Sequence, residues 1–443
     1  MNYYQHFRKS IFLAFPIMLS QLGHITVGVV DSLMVGRLGT EELAAVSLSN
    51  SFFGFVLLFG IGLSYGITPL ISSAKGENKK KSIGNVLYNG LFINFLFAIF
   101  LSVILIISKY ILLGLDQNKN VLDLTFPYLN IISISLIPLM IFQTFRQYIE
   151  GLGFTKQPMI ISVIANILNI ILNYLLIFGV WGFPRLEVLG AGYASLISRV
   201  FMMICIILYV IRTQKFNHFI NKINFVSIKR KIIVKILAIG IPSGFQFVFE
   251  VGAFSVATIM IGWFGAEALA SHQIALNLAS ITYMIASGIS ASSMISLGYF
   301  YGKKNYHDLR KSGYINFIMV SVMMAIFGII FFWFRKELPT LYIDNENVLV
   351  LASNLIIIAA LFQIPDGIQS VGLGVLRGIR DTKVPTLVTF VAYWIIAIPL
   401  CYFLGVMKNY GPIGIWVGLM MGLWIAAIFH LLRFNYITKK IMK

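Results

Sequence analysis

Three acidic side chains lie inside long apolar stretches of this sequence, and they are the residues best suited to chemistry. Asp31, Glu250 and Asp366 occupy such stretches, whereas the other 13 of the 16 Asp and Glu residues lie in or close to polar connections. A carboxylate at bilayer depth is energetically costly, so it marks ion transport or proton handling more often than a structural contact. We therefore predict that these three carboxylates couple the protein's function to a cation.

Polar side chains share predicted helix faces with the three acids. Gln246 precedes Glu250 by four residues and Gln363 precedes Asp366 by three, spacings that place each pair on one face. We predict a set of supporting residues in a polar cavity: Gln21, His24, Asn169, Asn173, Gln246, His272, Gln273, Asn277 and Gln363.

Two coupling ions fit these groups. Removal from water disfavours the charged form of a carboxylate, so the acids could load and release a proton. Carboxylate and amide oxygens also suit a hard cation, which makes Glu250 and Asp366 a possible Na⁺ site. The sequence leaves H⁺ and Na⁺ coupling open.

A purely structural interpretation of the same residues is also open. An intramembrane acid can join helices by pairing with Arg199 or with a histidine, and rows of Asn and Gln often connect helices without binding substrate. His24 and His272 fit hydrogen-bonded packing residues as well as proton relays.

Composition indicates the elements that must position these residues. The chain has 443 residues, 58% hydrophobic and 11% charged, with repeated apolar runs separated by short polar connections. Since a helix needs about 20 apolar residues to cross a bilayer, we predict an all-α integral membrane protein with twelve transmembrane helices.

Cys205 and Cys401 both fall in apolar spans, so a disulfide framework has no support. Scattered histidines offer no catalytic cluster, so we expect neither an enzyme nor a cofactor other than the coupling ion.

The basic residues are distributed unevenly along the chain. A net charge of +18 would suggest nucleic acid as the partner of a soluble protein, but 26 of the 34 Lys and Arg residues fall on the side of the N-terminus. Seven fall on the other side, and Arg199 lies within a span. This asymmetry predicts a multi-pass protein of the cell membrane with both termini in the cytoplasm.

The first span lacks a cleavage pattern, so we interpret it as retained rather than as a signal peptide. We expect a monomer and no nucleic-acid partner.

An internal repeat divides the sequence into halves. An offset of 226 residues, which later grows to 227, superposes Pro16 on Pro242, Gly36 on Gly262, Glu41 on Glu267, Gly151 on Gly378 and Pro158 on Pro385. We predict two six-helix bundles, residues 1–225 with the connecting loop and residues 226–443, related by a pseudo-two-fold axis along the membrane normal. Such paired bundles are typical of secondary transporters that work by alternating access.

The predicted carboxylates break this repeat. Glu250 aligns with His24, Asp31 with Ala257 and Asp366 with Leu139. Two of the three acids belong to the second half, which predicts the principal cation site there.

Several strings in order carry a family resemblance. They include QLGHITVGVVDSLMVGRLGTEELAAVSL around Asp31, IPSGFQFVFEVGAFSVATIMIGWFGAEALASHQIALN around Glu250, EGLGFTKQP at 150–158 and LRGIRDTKVP at 376–385. With this spacing the chain resembles the multidrug and toxic compound extrusion (MATE) transporters, in particular the NorM-like branch. The resemblance implies a twelve-helix, two-lobed antiporter that exports organic cations or drugs in exchange for Na⁺ or H⁺. It also implies that Asp31, Glu250 and Asp366 are cation-coupling carboxylates, although some relatives carry an aspartate where this chain has Asn173.

Other transporter classes fit the sequence less well. A lipid-linked saccharide flippase of related two-bundle architecture would place several basic residues in its cavity, whereas Arg199 is the only one predicted well inside a span. The loop AKGENKKKS after the second span lacks the acidic-basic glycine signature of the major facilitators.

Overall fold

The structure, a computed structural model, describes residues 2–114, 118–216 and 228–443, and the regular structure in these ranges is helical. Twelve helices of this part are long and apolar enough to cross a membrane, which confirms the predicted fold class. They are α1 (Tyr3–Gly36), α2 (Thr40–Gly76), α3 (Lys80–Leu113), α4 (Lys119–Gly151), α5 (Lys156–Phe178), α6 (Glu187–Arg212), α7 (Arg230–Gly262), α8 (Ala266–Gly302), α9 (Tyr306–Trp333), α10 (Glu346–Gly378), α11 (Lys383–Met407) and α12 (Gly411–Met442). A short helical turn, Glu337–Thr340, lies between α9 and α10.

Helix α11 departs most from regular α-helical geometry. It contains two π-helical segments, Val391–Ala397 and Phe403–Met407, joined by a short α-helical turn that includes Pro399. Proline has no backbone N–H to donate to the carbonyl four residues earlier, so the regular hydrogen-bond ladder is interrupted at this point. Wide turns of this kind occur often at functional sites in membrane helices.

Two compact units make up the chain, and each is described by itself. The N unit comprises Leu19–Gly244, and the C unit comprises the residues up to Met18 together with Phe245–Lys443. The division falls within α1 and within α7, two residues after Pro16 and two residues after Pro242. Each unit therefore contains residues from both predicted repeats, and the division of the repeat at residues 225 and 226 stays a prediction.

Equivalent residues of the repeat make the same local contacts. In the N unit the Asn120 side chain donates from Nδ2 to Glu41 Oε1 at 3.2 Å. In the C unit Asn347 Nδ2 donates to Glu267 Oε1, also at 3.2 Å. These residues are related by the offsets of 226 and 227, so the second and fourth helices of each half are joined in the same way.

Close backbone contact joins α2 and α7 within the N unit. A Cβ atom added at Gly62 would lie 2.5 Å from Gly244 Cα, and one added at Gly240 would lie 2.3 Å from the Leu63 carbonyl oxygen. Glycines four residues apart, Gly62 with Gly66 and Gly240 with Gly244, allow membrane helices to approach this closely.

The C unit contains contacts at the positions related by the repeat. A Cβ atom at Gly288 of α8 would lie 3.0 Å from the Met18 backbone nitrogen. Four residues further along α8, Ser292 Oγ donates to the Ser10 carbonyl oxygen at 2.9 Å. The beginning of α1 is thereby held against α8.

Candidate functional site

The C unit brings two of the predicted carboxylates into one buried site. Glu250 of α7 is 5% exposed and Asp366 of α10 is 6% exposed, and the two groups interact electrostatically. Glu250 Oε2 accepts a hydrogen bond from Gln369 Nε2 at 3.4 Å, and the Tyr283 hydroxyl also bonds to Glu250. Two adjacent negative charges in a low dielectric repel each other, so the site favours a bound cation or proton.

Several buried polar atoms on the helices that carry these carboxylates, or in electrostatic contact with them, lack a partner within the described part of the chain. Gln363 is fully buried, and neither its Oε1 nor its Nε2 has a hydrogen-bond partner among the described residues. The same holds for Gln369 Oε1 and for the Tyr393 hydroxyl, which interacts electrostatically with both Glu250 and Asp366. Buried polar atoms are almost always hydrogen-bonded in proteins, and exceptions call for a ligand, an ion or water. Their oxygen atoms fit a hard cation or a proton relay.

Arg377 is part of this site although it lies beyond the apolar run that predicts α10. Its side chain is 4% exposed, and its Nε and Nη2 donate to Gln246 Oε1 at 3.0 and 2.6 Å. Gln246 in turn donates from Nε2 to Thr386 Oγ1 at 2.9 Å. Arg377 also interacts electrostatically with Glu250. Gln246, predicted to line the cavity beside Glu250, therefore holds the arginine in place.

In the N unit, Asp31 is held by amides and lies near a basic residue. Asn173 Nδ2 donates to Asp31 Oδ1 and, at 3.2 Å, to Asn169 Oδ1. Both asparagines, which the sequence predicts to be cavity residues of α5, are buried. Arg199 interacts electrostatically with Asp31 and donates to Ser135 Oγ. A basic residue inside the same unit therefore offsets part of the charge of Asp31.

Both ring nitrogens of His272 make polar contacts with neighbouring side chains. Trp416 Nε1 donates to His272 Nδ1 at 3.0 Å, and His272 Nε2 lies 2.8 Å from Thr258 Oγ1. Because an indole N–H can only donate, Nδ1 must be the acceptor, and the neutral ring donates from Nε2. Thr258 lies eight residues after Glu250, about 12 Å along α7. The contacts of His272 are those of a packing residue.

The remaining predicted cavity residues are more accessible. Gln21 is half-buried, whereas His24, Gln273 and Asn277 are exposed. Gln273 Nε2 donates to Asn277 Oδ1 at 3.4 Å on one face of α8, and His24 interacts electrostatically with Arg199. These four residues do not contact Glu250 through any described hydrogen bond.

A buried ion pair lies near the end of α4. Arg146 Nε donates to Glu150 Oε1 at 2.7 Å in α4, and both side chains are buried. Glu150 and Arg146 are buried although both lie near the end of the helix, close to the connection that the sequence predicts there. The apolar run of α4 ends near Arg146, but the helix continues to Gly151. Hydropathy identifies the end of an apolar run, which is not the end of the helix.

The described residues 2–114, 118–216 and 228–443 contain no cluster of three or more His, Cys, Asp or Glu side chains that could hold a metal ion. A Na⁺ ion at Glu250 and Asp366 would therefore require amide, hydroxyl or carbonyl oxygens as its further ligands.

Comparison with known proteins identifies the family. A sequence model of the MatE family matches residues 16–175 and again residues 242–403, two matches that begin 226 residues apart. The multidrug resistance protein MdtK of Yersinia enterocolitica is 31% identical over 98% of this chain and 96% of that protein. The probable multidrug resistance protein NorM of Halalkalibacterium halodurans is 33% identical over 96% of this chain and 93% of that protein. The crystal structure of the eukaryotic MATE transporter AtDTX14 superposes with a TM-score of 0.88 at 20% identity, covering 99% of this chain and 98% of that chain. These matches confirm the predicted resemblance: the chain belongs to the MatE family.

Proposed function

We propose that this protein is a secondary antiporter that exports organic cations and amphipathic drugs from the cytoplasm in exchange for Na⁺ or H⁺. Relatives at about 30% identity over their full length carry the names of multidrug resistance proteins. Membership of the MatE family supports a transporter rather than an enzyme, as do the twelve helices of the described residues that are long and apolar enough to cross a membrane.

One observation supports the coupling mechanism: two interacting buried carboxylates lie near polar atoms that have no hydrogen-bond partner among the residues that the structure describes. Glu250 and Asp366 would hold the coupling cation, with oxygen atoms of Gln363, Gln369 and Tyr393 completing its shell. A Na⁺ ion or a proton neutralises the repulsion between the acids, and an organic cation can do the same. Competition of the two cations for the same negative charge would link import of one to export of the other.

Asp31 would act as a further coupling carboxylate in the N unit. The hydrogen bond from Asn173 holds Asp31 in a defined position, and Arg199 interacts with it electrostatically. Asp31 with Arg199 carries no net charge, whereas Glu250 and Asp366 with Arg377 carry one net negative charge when both acids are ionised. We therefore expect Asp31 to contribute less to cation binding than the acidic pair of the C unit.

The proposed orientation places both termini in the cytoplasm of a cell-membrane protein that works as a monomer. The concentration of basic residues on the side of the N-terminus supports this orientation.

A lipid-linked saccharide flippase is not favoured. Two of the buried arginines bond to protein groups, Arg377 to Gln246 and Arg146 to Glu150, instead of presenting an open basic cavity for a diphosphate.

Proteoliposomes test this proposal directly. The full chain is reconstituted, a Na⁺ gradient and a pH gradient are imposed separately, and movement of a fluorescent lipophilic cation is followed. We expect at least one gradient to drive accumulation against the concentration gradient of the cation, and that gradient identifies the coupling ion. Failure of both gradients to drive a panel of lipophilic cations would contradict the proposal.

A further inference from the structure

An apolar groove lies in the C unit between the beginning of α1 and the first half of α9. It has a volume of about 460 Å³ and is lined by aromatic and aliphatic side chains, among them Tyr3, Phe7, Ile11, Ile315, Ile318 and Val322. Tyr3 is 69% exposed and Ile318 is 64% exposed, whereas Ile315 forms part of the buried floor. Both helices are candidate membrane spans, so the groove opens toward the hydrocarbon of the bilayer rather than toward water.

The groove is somewhat shorter than the hydrocarbon thickness of one bilayer leaflet. Along α9, its lining residues from Ile315 to Met323 cover about 12 Å at 1.5 Å per residue. Half of a hydrocarbon core of about 30 Å is about 15 Å. A lipid acyl chain that enters from the membrane surface would therefore fill the groove along its length.

Basic side chains stand at the end of the groove nearest the beginning of both helices. Lys311 lies on the same face of α9 as Ile315, Ile318 and Val322, at spacings of four, seven and eleven residues. Its Nζ is 3.9 Å from the centroid of the Tyr3 ring, which belongs to the groove wall. Arg8, which is exposed, precedes Ile11 by three residues on α1.

Asp308, an acidic side chain near this end, is already engaged in hydrogen bonds. Asp308 bonds through Oδ1 to His6 Nε2 at 3.1 Å and accepts at Oδ2 from Asn305 Nδ2 at 2.9 Å. A second, basic depression of about 490 Å³ lies at the beginning of α9 and includes Lys303, Lys304 and His307. The surroundings of the groove entrance are therefore strongly positive, which favours an acidic headgroup over a zwitterionic one.

We propose that this groove binds one acyl chain of an acidic phospholipid, whose phosphate contacts Lys311 and Arg8. The bound lipid would fasten the beginning of α1 to α9 within the C unit. This inference does not depend on the identity of the coupling ion or of the exported substrate.

Native mass spectrometry of the purified full chain tests the proposal with phosphatidylglycerol and phosphatidylcholine of identical acyl chains. We expect the protein to retain phosphatidylglycerol preferentially and Lys311→Gln to lower that preference about five-fold, the effect of one basic residue near an acidic lipid surface. Ile318→Trp, which fills the groove, should lower retention of both lipids. Equal retention of the two lipids by the unaltered protein, or unchanged retention in both variants, would overturn the proposal.

Matched controls lie elsewhere on the same unit. Ile329→Trp alters an exposed position of α9 beyond the groove, and Lys408→Gln removes an exposed charge after α11. Both should behave as the unaltered protein does.

A second measurement needs no variant. Phosphatidylglycerol with a photoreactive acyl chain should label residues 3–11 and 315–323, and excess inorganic phosphate should not prevent the labelling. Labelling confined to other segments would refute the groove assignment, and loss of labelling with phosphate would reduce the site to a simple anion site.

Discussion

Replacement of Gly240 by alanine tests the close packing of α7 on α2 inside the N unit. The added Cβ would lie 2.3 Å from the Leu63 carbonyl oxygen and 3.1 Å from the Leu63 carbonyl carbon. Carbon and carbonyl oxygen normally approach to about 3.3–3.6 Å, so the helices must separate locally by roughly 1 Å. Overpacking of this kind costs about 1–3 kcal/mol, and the helix propensity of alanine recovers at most about 1 kcal/mol.

We therefore expect Gly240→Ala to lower the free energy of unfolding by about 1–2 kcal/mol in detergent micelles, measured by denaturant titration. Gly262→Ala is the matched control, because it lies on the same helix and its added Cβ would meet no heavy atom within 4 Å. The control should leave stability unchanged or raise it slightly. Equal stabilities for the two variants would refute the argument that backbone contact, rather than glycine content, holds α7 against α2.

Two further predictions concern buried polar pairs. Arg146→Ala should destabilise the protein by about 3–5 kcal/mol, because it leaves the Glu150 carboxylate buried without its partner. The double variant Arg146→Met with Glu150→Leu should recover most of that loss in the same unfolding assay, and a double variant as unstable as the single one would contradict this reasoning. Trp416→Phe removes the donor to His272 and should cost about 0.5–1.5 kcal/mol. The ratio of ions to drug exchanged per folded protein should not change in Trp416→Phe, and a changed ratio would make His272 part of the coupling path.

The sequence predicts the helices and the acidic residues of this fold because both follow from local composition. Twelve apolar runs identify twelve spans, and the cost of an acid in an apolar run points to Glu250 and Asp366. The side chains that contact these acids are set by tertiary contacts, which local composition does not predict. Arg377 lies beyond an apolar run but inside a helix that continues to Gly378, and hydropathy cannot detect that continuation.

Two other features were beyond a single sequence for different physical reasons. Tyr393 stands in an apolar run where one more aromatic residue carries no signal, and a π-helical segment sets the direction of its side chain. Residues 144 positions apart form the Trp416–His272 hydrogen bond, which no local pattern reveals. The glycine spacing in GLSYG and GIPSG, by contrast, is visible in the sequence and could have predicted the contact between α2 and α7.

Drug-dependent cation exchange in proteoliposomes, compared between the unaltered chain and variants of the acidic pair, tests the central claim most directly. The matched control is Glu267→Gln, an exposed acid that bonds to Asn347 outside the site. We predict that Glu250→Gln and Asp366→Asn each abolish the exchange while the proteins remain folded, and that Glu267→Gln exchanges normally. Undiminished exchange in both Glu250→Gln and Asp366→Asn would contradict the assignment of cation coupling to these carboxylates.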